Sequence, residues 1–282
     1  MKQYDFIVSL GASCGCTMVL RELNLQFVSS PLDWAASPGL ASAIDMIEHD
    51  FKDWFNREDM KLWAVRHEKG TISRIYKNTR TEFGFPHDFS NAEPFEACYE
   101  KVREKYERRI ERFLSRMAGG GSGLCVYLEL SYKERLADDE LVSLVGRLRR
   151  RFPNTKLDFV YIYVEKDRHE AVERKIADGI IGVGVEYRVF NEAGELTHLT
   201  NHKPFSDYLR AHYSVVDTRT EAEKVAFKRA QREKWMAKFG RNSISRWINR
   251  KVHAWYCSLA EYLMKQHLLP EERPTWFHKE DK

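Results

Sequence analysis

From residue 124 to residue 190 the chain switches repeatedly between two hydrophobic periods, and this restricts the fold more than any other feature. The runs at 124–130, 157–164 and 184–190 have the length and the β-branched and aromatic content of buried strands. Between them, 138–151 and 167–178 carry the 3.6-residue spacing of amphipathic helices. Strands separated by helices pair in parallel, joined by right-handed crossovers. The amino-terminal region adds a further unit of this kind. Tyr4-Asp5-Phe6-Ile7-Val8-Ser9 reads as a buried strand, Gly11 as a turn, and Cys14–Leu25 as a helix with Met18, Val19, Leu20, Leu23 and Leu25 on its apolar positions. The expectation is an α/β fold, a Rossmann-like, mostly parallel sheet flanked by helices.

The stretch between these regions is less regular. Ser37 and Pro38 suit the cap and first turn of a helix running to about Phe55. Residues 62–65 and 72–76 look like short strands, and Gly84 and Pro86 make 83–89 a loop. Asn91 stands before a charged helix over 92–117, and Gly119-Gly120-Gly121-Ser122-Gly123 reads as a flexible connector. That connector lacks the Lys-Ser/Thr ending of a phosphate loop and precedes a strand, which argues against a nucleotide cradle. Asn191-Glu192-Ala193-Gly194 resembles a hairpin turn into 195–200. From Thr218 onward the pattern is helical, so the expected division is an α/β catalytic domain at 1–217 with a helical extension at 218–282 packed on it.

Composition narrows the class further. The 282 residues carry 46 basic and 42 acidic side chains, a net charge of +4 that is too small an excess to indicate nucleic acid. No signal peptide is evident, and no apolar run reaches membrane-spanning length, so a cytoplasmic location is expected. The five cysteines (Cys14, Cys16, Cys98, Cys125, Cys257) are scattered without a CxxC pair, which fits a reducing compartment. His198 and His202 have metal-ligand spacing for a helix, but they fall in hairpin-like sequence and lack a third ligand. No metal or cofactor is expected.

Cys14 is the leading candidate for chemistry. A strand that ends in a glycine turn and restarts as a helix leaves backbone N–H groups unpaired at the helix start. A thiol placed there lies in a field that favours thiolate, the nucleophilic form. The alternative is a cysteine that simply packs in the core. A nucleophilic cysteine needs a base. Among ten histidines, His87 stands out between aromatic residues and directly before Asp88. His87 and Asp88 could equally form a turn before the next helix. Asp33, between Leu32 and Trp34, is either a site carboxylate or one bonded to backbone.

Taken in order, Ser9-Leu10-Gly11-Ala12-Ser13-Cys14, Leu20-Arg21, Pro31-Leu32-Asp33-Trp34 and Phe85-Pro86-His87-Asp88-Phe89 resemble an uncharacterised bacterial family labelled papain-like cysteine peptidase. Its motifs are Ser-Leu-Gly-x-x-Cys, Pro-Phe-Asp-Trp and His-Asp-Phe. Leu32 stands where the family has Phe, a volume-conserving apolar change. The resemblance implies Cys14 as nucleophile, His87 as base, and Asp88 or Asp33 as the orienting carboxylate. Ser9, Gly11, Ser13 and Trp34 are the expected substrate-binding residues.

A papain-like fold sets its cysteine on a helix and its histidine on a later antiparallel sheet, whereas the period pattern here indicates a parallel sheet. Three functions follow. The first is a cysteine-dependent hydrolase or acyl transferase, acting on a small-molecule, peptide or glycan substrate. The second, suggested by the resembling family's association with surface-polysaccharide genes, is a transferase acting on a sugar or phosphorylated substrate, with Cys14 not a nucleophile. The third is a binding module using the basic, Trp-bearing stretch at 241–267 (Arg241, Arg246, Trp247, Arg250, Lys251, Trp255) against an anionic membrane.

Overall fold

The structure, a computed structural model, describes residues 1–227 and 229, leaving out 13, 69–70, 91–92, 130–134, 187 and 191–195. The chain divides into two units, Met1–Val216 and Asp217–Lys282. Of the second unit, 217–227 and 229 are described, and they are helical over 221–227. The expected basic helix at 241–267, and Cys257 with it, lie outside the described residues.

The first unit is built on a five-stranded sheet. Strands β2 (Phe6–Ser9), β6 (Gly121–Leu128), β7 (Thr155–Val164) and β9 (Ile180–Val185) run parallel in that order, and β8 (Val172–Ala177) closes the far edge antiparallel to β9. A separate parallel pair joins β1 (Lys2–Tyr4) to β12 (Tyr213–Val215). The period-2 alternation of the strands divides the interior into two cores. Phe6, Val8, Cys125, Tyr127, Leu157, Phe159 and Tyr161 face one core, which α2 (Leu40–Glu48), α3 (Phe95–Ala118) and α4 (Asp138–Arg151) cover. Ile7, Leu124, Val126, Val160 and Ile162 face the other, covered by α1 (Cys14–Glu22) and α5 (Lys203–His212). The sheet is thus buried on both faces, as parallel strands require. Its strands read as near-continuous apolar runs for that reason, and the expected α/β class is the observed one.

Four local expectations are corrected. Residues 167–178 are not a helix: Val172–Ala177 is the edge strand β8, turned back on β9 through Asp178-Gly179, with Gly179 at a φ of 65°. Asp-Gly between strands is a strong hairpin signal, and the charged residues that looked helical are those an edge strand uses to resist further pairing. The second helix stops at Glu48, not Phe55, because Asp50, Phe51 and Asp53 adopt left-handed φ values of 52°, 58° and 60°. Lys203–His212 is a helix that the period reading missed.

The fourth correction matters most for the site. Residues 84–90 are a strand, β5 (Gly84–Ser90), the third of an antiparallel meander with β3 (Met60–Glu68) and β4 (Thr71–Asn78). Tyr76 pairs with Phe85 and Arg74 with Phe89, so Pro86, His87 and Asp88 together oppose Ile75. This is a bulge, where proline is tolerated because no ladder donor is needed. The meander is inserted between α2 and α3. An aromatic cluster fastens it there: Trp54, fully buried, lies within 6 Å of Phe55, Phe83, Phe85 and Tyr106 by ring centroid. The turn expected at 191–194 lies outside the described residues, although β10 (Arg188–Phe190) and β11 (Leu196–Thr200) on either side pair antiparallel.

Candidate active site

β2 is an edge strand of this sheet, and the parallel strands follow it across the sheet in chain order. The helix that follows β2, α1, covers one face, and the helix that follows β6, α4, covers the other. In α/β sheets ligands bind beyond the carboxyl ends of the strands. The residues that leave β2 toward Cys14 lie at that end of the sheet. Leu10 N–H donates to the Val126 carbonyl at 2.9 Å, Ala12 N–H to Leu128 at 3.4 Å, and Leu128 N–H to Gly11 at 3.3 Å. Gly11 adopts a φ of 101°, which only glycine takes without strain, and its N–H turns to Ser9 Oγ at 3.3 Å. Ser9 is fully buried, and its carbonyl accepts from Ser30 Oγ at 3.4 Å. The N–H groups of Gly11 and Ala12 are therefore engaged within the fold. Ser13, also an expected substrate contact, lies outside the described residues.

Cys14 opens α1 and is half-buried, whereas Cys16, Cys98 and Cys125 are buried. Burial pushes the thiols of Cys16 and Cys125 up to about 12 and raises that of Cys98. Cys14, Thr17 and Arg21 occupy positions i, i+3 and i+7, one face of the helix. Against that face lies the turn Pro31–Trp34, entered with Pro31 at its first position.

Asp33 joins the two segments. Its carboxylate is inaccessible to solvent and accepts from Thr17 Oγ1 (3.0 Å), from Gln26 Nε2 (2.9 and 3.0 Å to its two oxygens), and from Ser30 N–H (2.9 Å) and Ser30 Oγ (3.0 Å). Arg21 Nη2 stands 3.5 Å away and donates to Ser29 Oγ at 2.6 Å. Burial raises the Asp33 pKa, and the donors around it, Gln26 foremost, pull against that rise. Every one of these partners is a donor, which suits an ionised carboxylate.

Trp34 connects this assembly to the meander. The Arg21 guanidinium lies 5.7 Å from its ring centroid, and the His87 imidazole meets it at 5.8 Å and 87°. Two reciprocal backbone bonds, Ala36 N–H to Gly84 (2.8 Å) and Gly84 N–H to Ala36 (2.9 Å), fix the next residues to the start of β5. Ser37 N–H reaches back to the Ala12 carbonyl at 3.3 Å. One extended segment therefore bridges the turn before Cys14 and the strand that carries His87. The bulge leaves His87 exposed on one side and turns Asp88 to the other, where its carboxylate pairs with Lys105 and accepts from Tyr106 Oη at 2.7 Å. Neither Asp33 nor Asp88 has a hydrogen bond to His87 among these contacts. His198 lies on β11, and no metal-ligating cluster occurs among the described residues.

The chain is an α/β protein in which Cys14 heads a helix beyond a parallel strand and His87 is exposed on an antiparallel strand. Residues 5–168 match the family described as "Putative papain-like cysteine peptidase (DUF1796)", and the chain belongs to that family. The matched span runs from β2 past the end of β7 and contains Cys14, Asp33, Trp34 and His87. Comparison with curated proteins and with solved structures returns no match. Among the described residues no helix is long and apolar enough to cross a membrane.

Proposed function

We propose that this protein is a cysteine-dependent hydrolase or acyl transferase with Cys14 as nucleophile and His87 as its proton carrier. The observation that supports it is the convergence of three separated segments. The helix headed by Cys14 holds Asp33 through Thr17, Arg21 of that helix carries Trp34, and Trp34 touches His87. The amino end of α1 favours the thiolate. Its sulfur adds to an acyl carbon, the leaving group takes a proton from the His87 imidazolium, and a thioester forms. Water, or an alcohol or amine acceptor, then loses a proton to His87 and releases the acyl group, restoring the thiol. The substrate class is an acyl donor, a peptide or an acylated glycan.

The test is the rate of Cys14 alkylation by iodoacetamide against pH, followed by peptide-mapped mass spectrometry, in wild type and His87→Ala. The expected result is an apparent pKa below the value of about 8.5 for a free thiol, moving toward it in His87→Ala. Cys16 and Cys125 should stay unlabelled in the native protein, since a thiol pushed to about 12 holds only about one part in ten thousand of thiolate at pH 8. An ordinary Cys14 indifferent to His87 overturns the nucleophile. It would transfer the site to a transferase that holds a sugar or phosphorylated substrate.

A further inference from the structure

A cysteine–histidine pair often has a third group to hold the imidazole, and the two candidate carboxylates, Asp88 and Asp33, are both occupied elsewhere. Asp88 is directed into α3, its side chain only 4% exposed, between Lys105 and the Tyr106 hydroxyl. Asp33 is enclosed by Thr17, Gln26, Ser30 and Arg21. What meets the imidazole is the Trp34 ring, near-perpendicular at 5.8 Å. The indole is in turn held by the Arg21 guanidinium, which Ser29 and Asp33 fix. We propose that Trp34 is the positioning residue for His87, so that an indole takes the orienting part, and that part alone, of a triad carboxylate's role. This rests on the Cys14–His87 reading above.

The physical case has two parts. His87 projects from a bulge and is exposed, so its backbone leaves its rotamer open. A perpendicular aromatic contact narrows that choice by about two- to tenfold in population. An indole also differs from a carboxylate in kind. It offers a π face and one N–H donor, and no acceptor for a ring proton of His87. It therefore orients the ring without the charge stabilisation that a carboxylate gives to imidazolium. Asp33 enters the site indirectly: it holds Arg21, Arg21 borders Trp34, and Trp34 borders His87.

The test reads His87 itself and needs no substrate. In full-length protein with carbon-13-labelled histidine, the His87 ring resonance is assigned by its loss in His87→Gln, and its shift is followed against pH. Wild type, Trp34→Phe, Trp34→Ala and Asp88→Asn are compared, together with the pH dependence of Cys14 alkylation. Trp34→Ala should move the His87 resonance toward the exposed-histidine position and cut the His87-dependent part of the alkylation rate by about threefold or more. Trp34→Phe should keep most of both, and Asp88→Asn should leave the His87 titration in place. Where Trp34→Ala fails to fold, Arg21→Met replaces it, with a smaller displacement of the same resonance expected. An unchanged His87 resonance in Trp34→Ala, or a His87 titration displaced by Asp88→Asn, overturns the proposal. If instead His87→Ala leaves Cys14 alkylation untouched, the cysteine–histidine reading fails while the Trp34–His87 contact is still read from the resonance.

Discussion

Removing the Asp33 carboxylate should destabilise the first unit severely, and the size of the effect follows from its partners. Asp33→Ala leaves the hydroxyls of Thr17 and Ser30, the Gln26 amide and the Ser30 N–H without their acceptor. Thr17, Gln26 and Ser30 are all less than 4% exposed, so water does not replace the lost carboxylate without rearrangement. An orphaned buried donor costs about 1–3 kcal/mol. Ser30 Oγ keeps the Ser9 carbonyl at 3.4 Å and Gln26 Nε2 the Val28 carbonyl at 3.1 Å, so the Thr17 hydroxyl and the Ser30 N–H bear most of the loss, and the desolvation penalty that raises the Asp33 pKa is released with the charge. Loss of about 3–5 kcal/mol remains, the range seen when one partner of a buried ionic cluster is deleted. Asp33→Asn keeps the volume and one acceptor oxygen, and should lose about half as much. The assay is urea unfolding followed by circular dichroism. With a slope of about 2–3 kcal/mol/M, Asp33→Ala should lower the midpoint by about 1.5 M. A midpoint within about 0.3 M of wild type, against that expected shift, would refute the claim that Asp33 joins the Cys14 helix to the Pro31–Trp34 turn.

Two further outcomes follow from single positions. Gly11→Ala should cost roughly 1–3 kcal/mol in a thermal melt, and the cause is conformational, since the added Cβ would meet Ser37 at an ordinary 3.5 Å while φ stays at 101°. Asp138, held by Arg174 through both guanidinium nitrogens, has its carboxyl pulled below the ordinary value of 3.8, with Arg135 adding to the effect. Its contribution is therefore present above that unfolded value and is lost as pH falls through the lower folded one. Denaturation of Asp138→Asn against wild type should show a deficit of about 0.5 kcal/mol at pH 7 that shrinks as pH falls below 3.8.

How much of this was legible in the sequence depended on whether a signal was local. The strand β7 was readable because Phe159–Val164 is apolar without interruption, as a strand covered on both faces must be. The helix α4 was readable because Leu141, Leu144, Val145 and Leu148 repeat at its period. The edge strand β8 misled because Val172, Glu173 and Lys175 face water, which breaks the alternation a strand would show, and the Asp178-Gly179 turn was the cue to weigh instead. Pro86 concealed β5 for a related reason. A proline argues against a strand until Phe85 and Phe89, on either side, are seen to pair with Tyr76 and Arg74 across a bulge. As candidates for a site, Cys14 and His87 were singled out by position and by neighbours. The directions of Asp33 and Asp88 were not, because a carboxylate beside a tryptophan or a histidine in sequence turns wherever donors are, and these lay on α1 and α3.

The meander resolves the tension between a papain-like label and a parallel sheet. The parallel strands carry the thiol: α1 starts with Cys14 just past the carboxyl end of β2. A parallel strand cannot be followed at once by its neighbour, because the chain must cross back over a face of the sheet. The crossing from β2 to β6 is long, and β3–β5 are built inside it. The antiparallel strand that carries His87 is therefore an insertion, and it has no ladder to the main sheet to position it. What positions it is the buried cluster around Trp54 on one side and the Ala36–Gly84 bonds on the other. Truncating Trp54 should thus loosen the strand that carries His87 as well as the core, although Trp54 touches neither Cys14 nor His87 in any aromatic or hydrogen-bonded contact of the described residues.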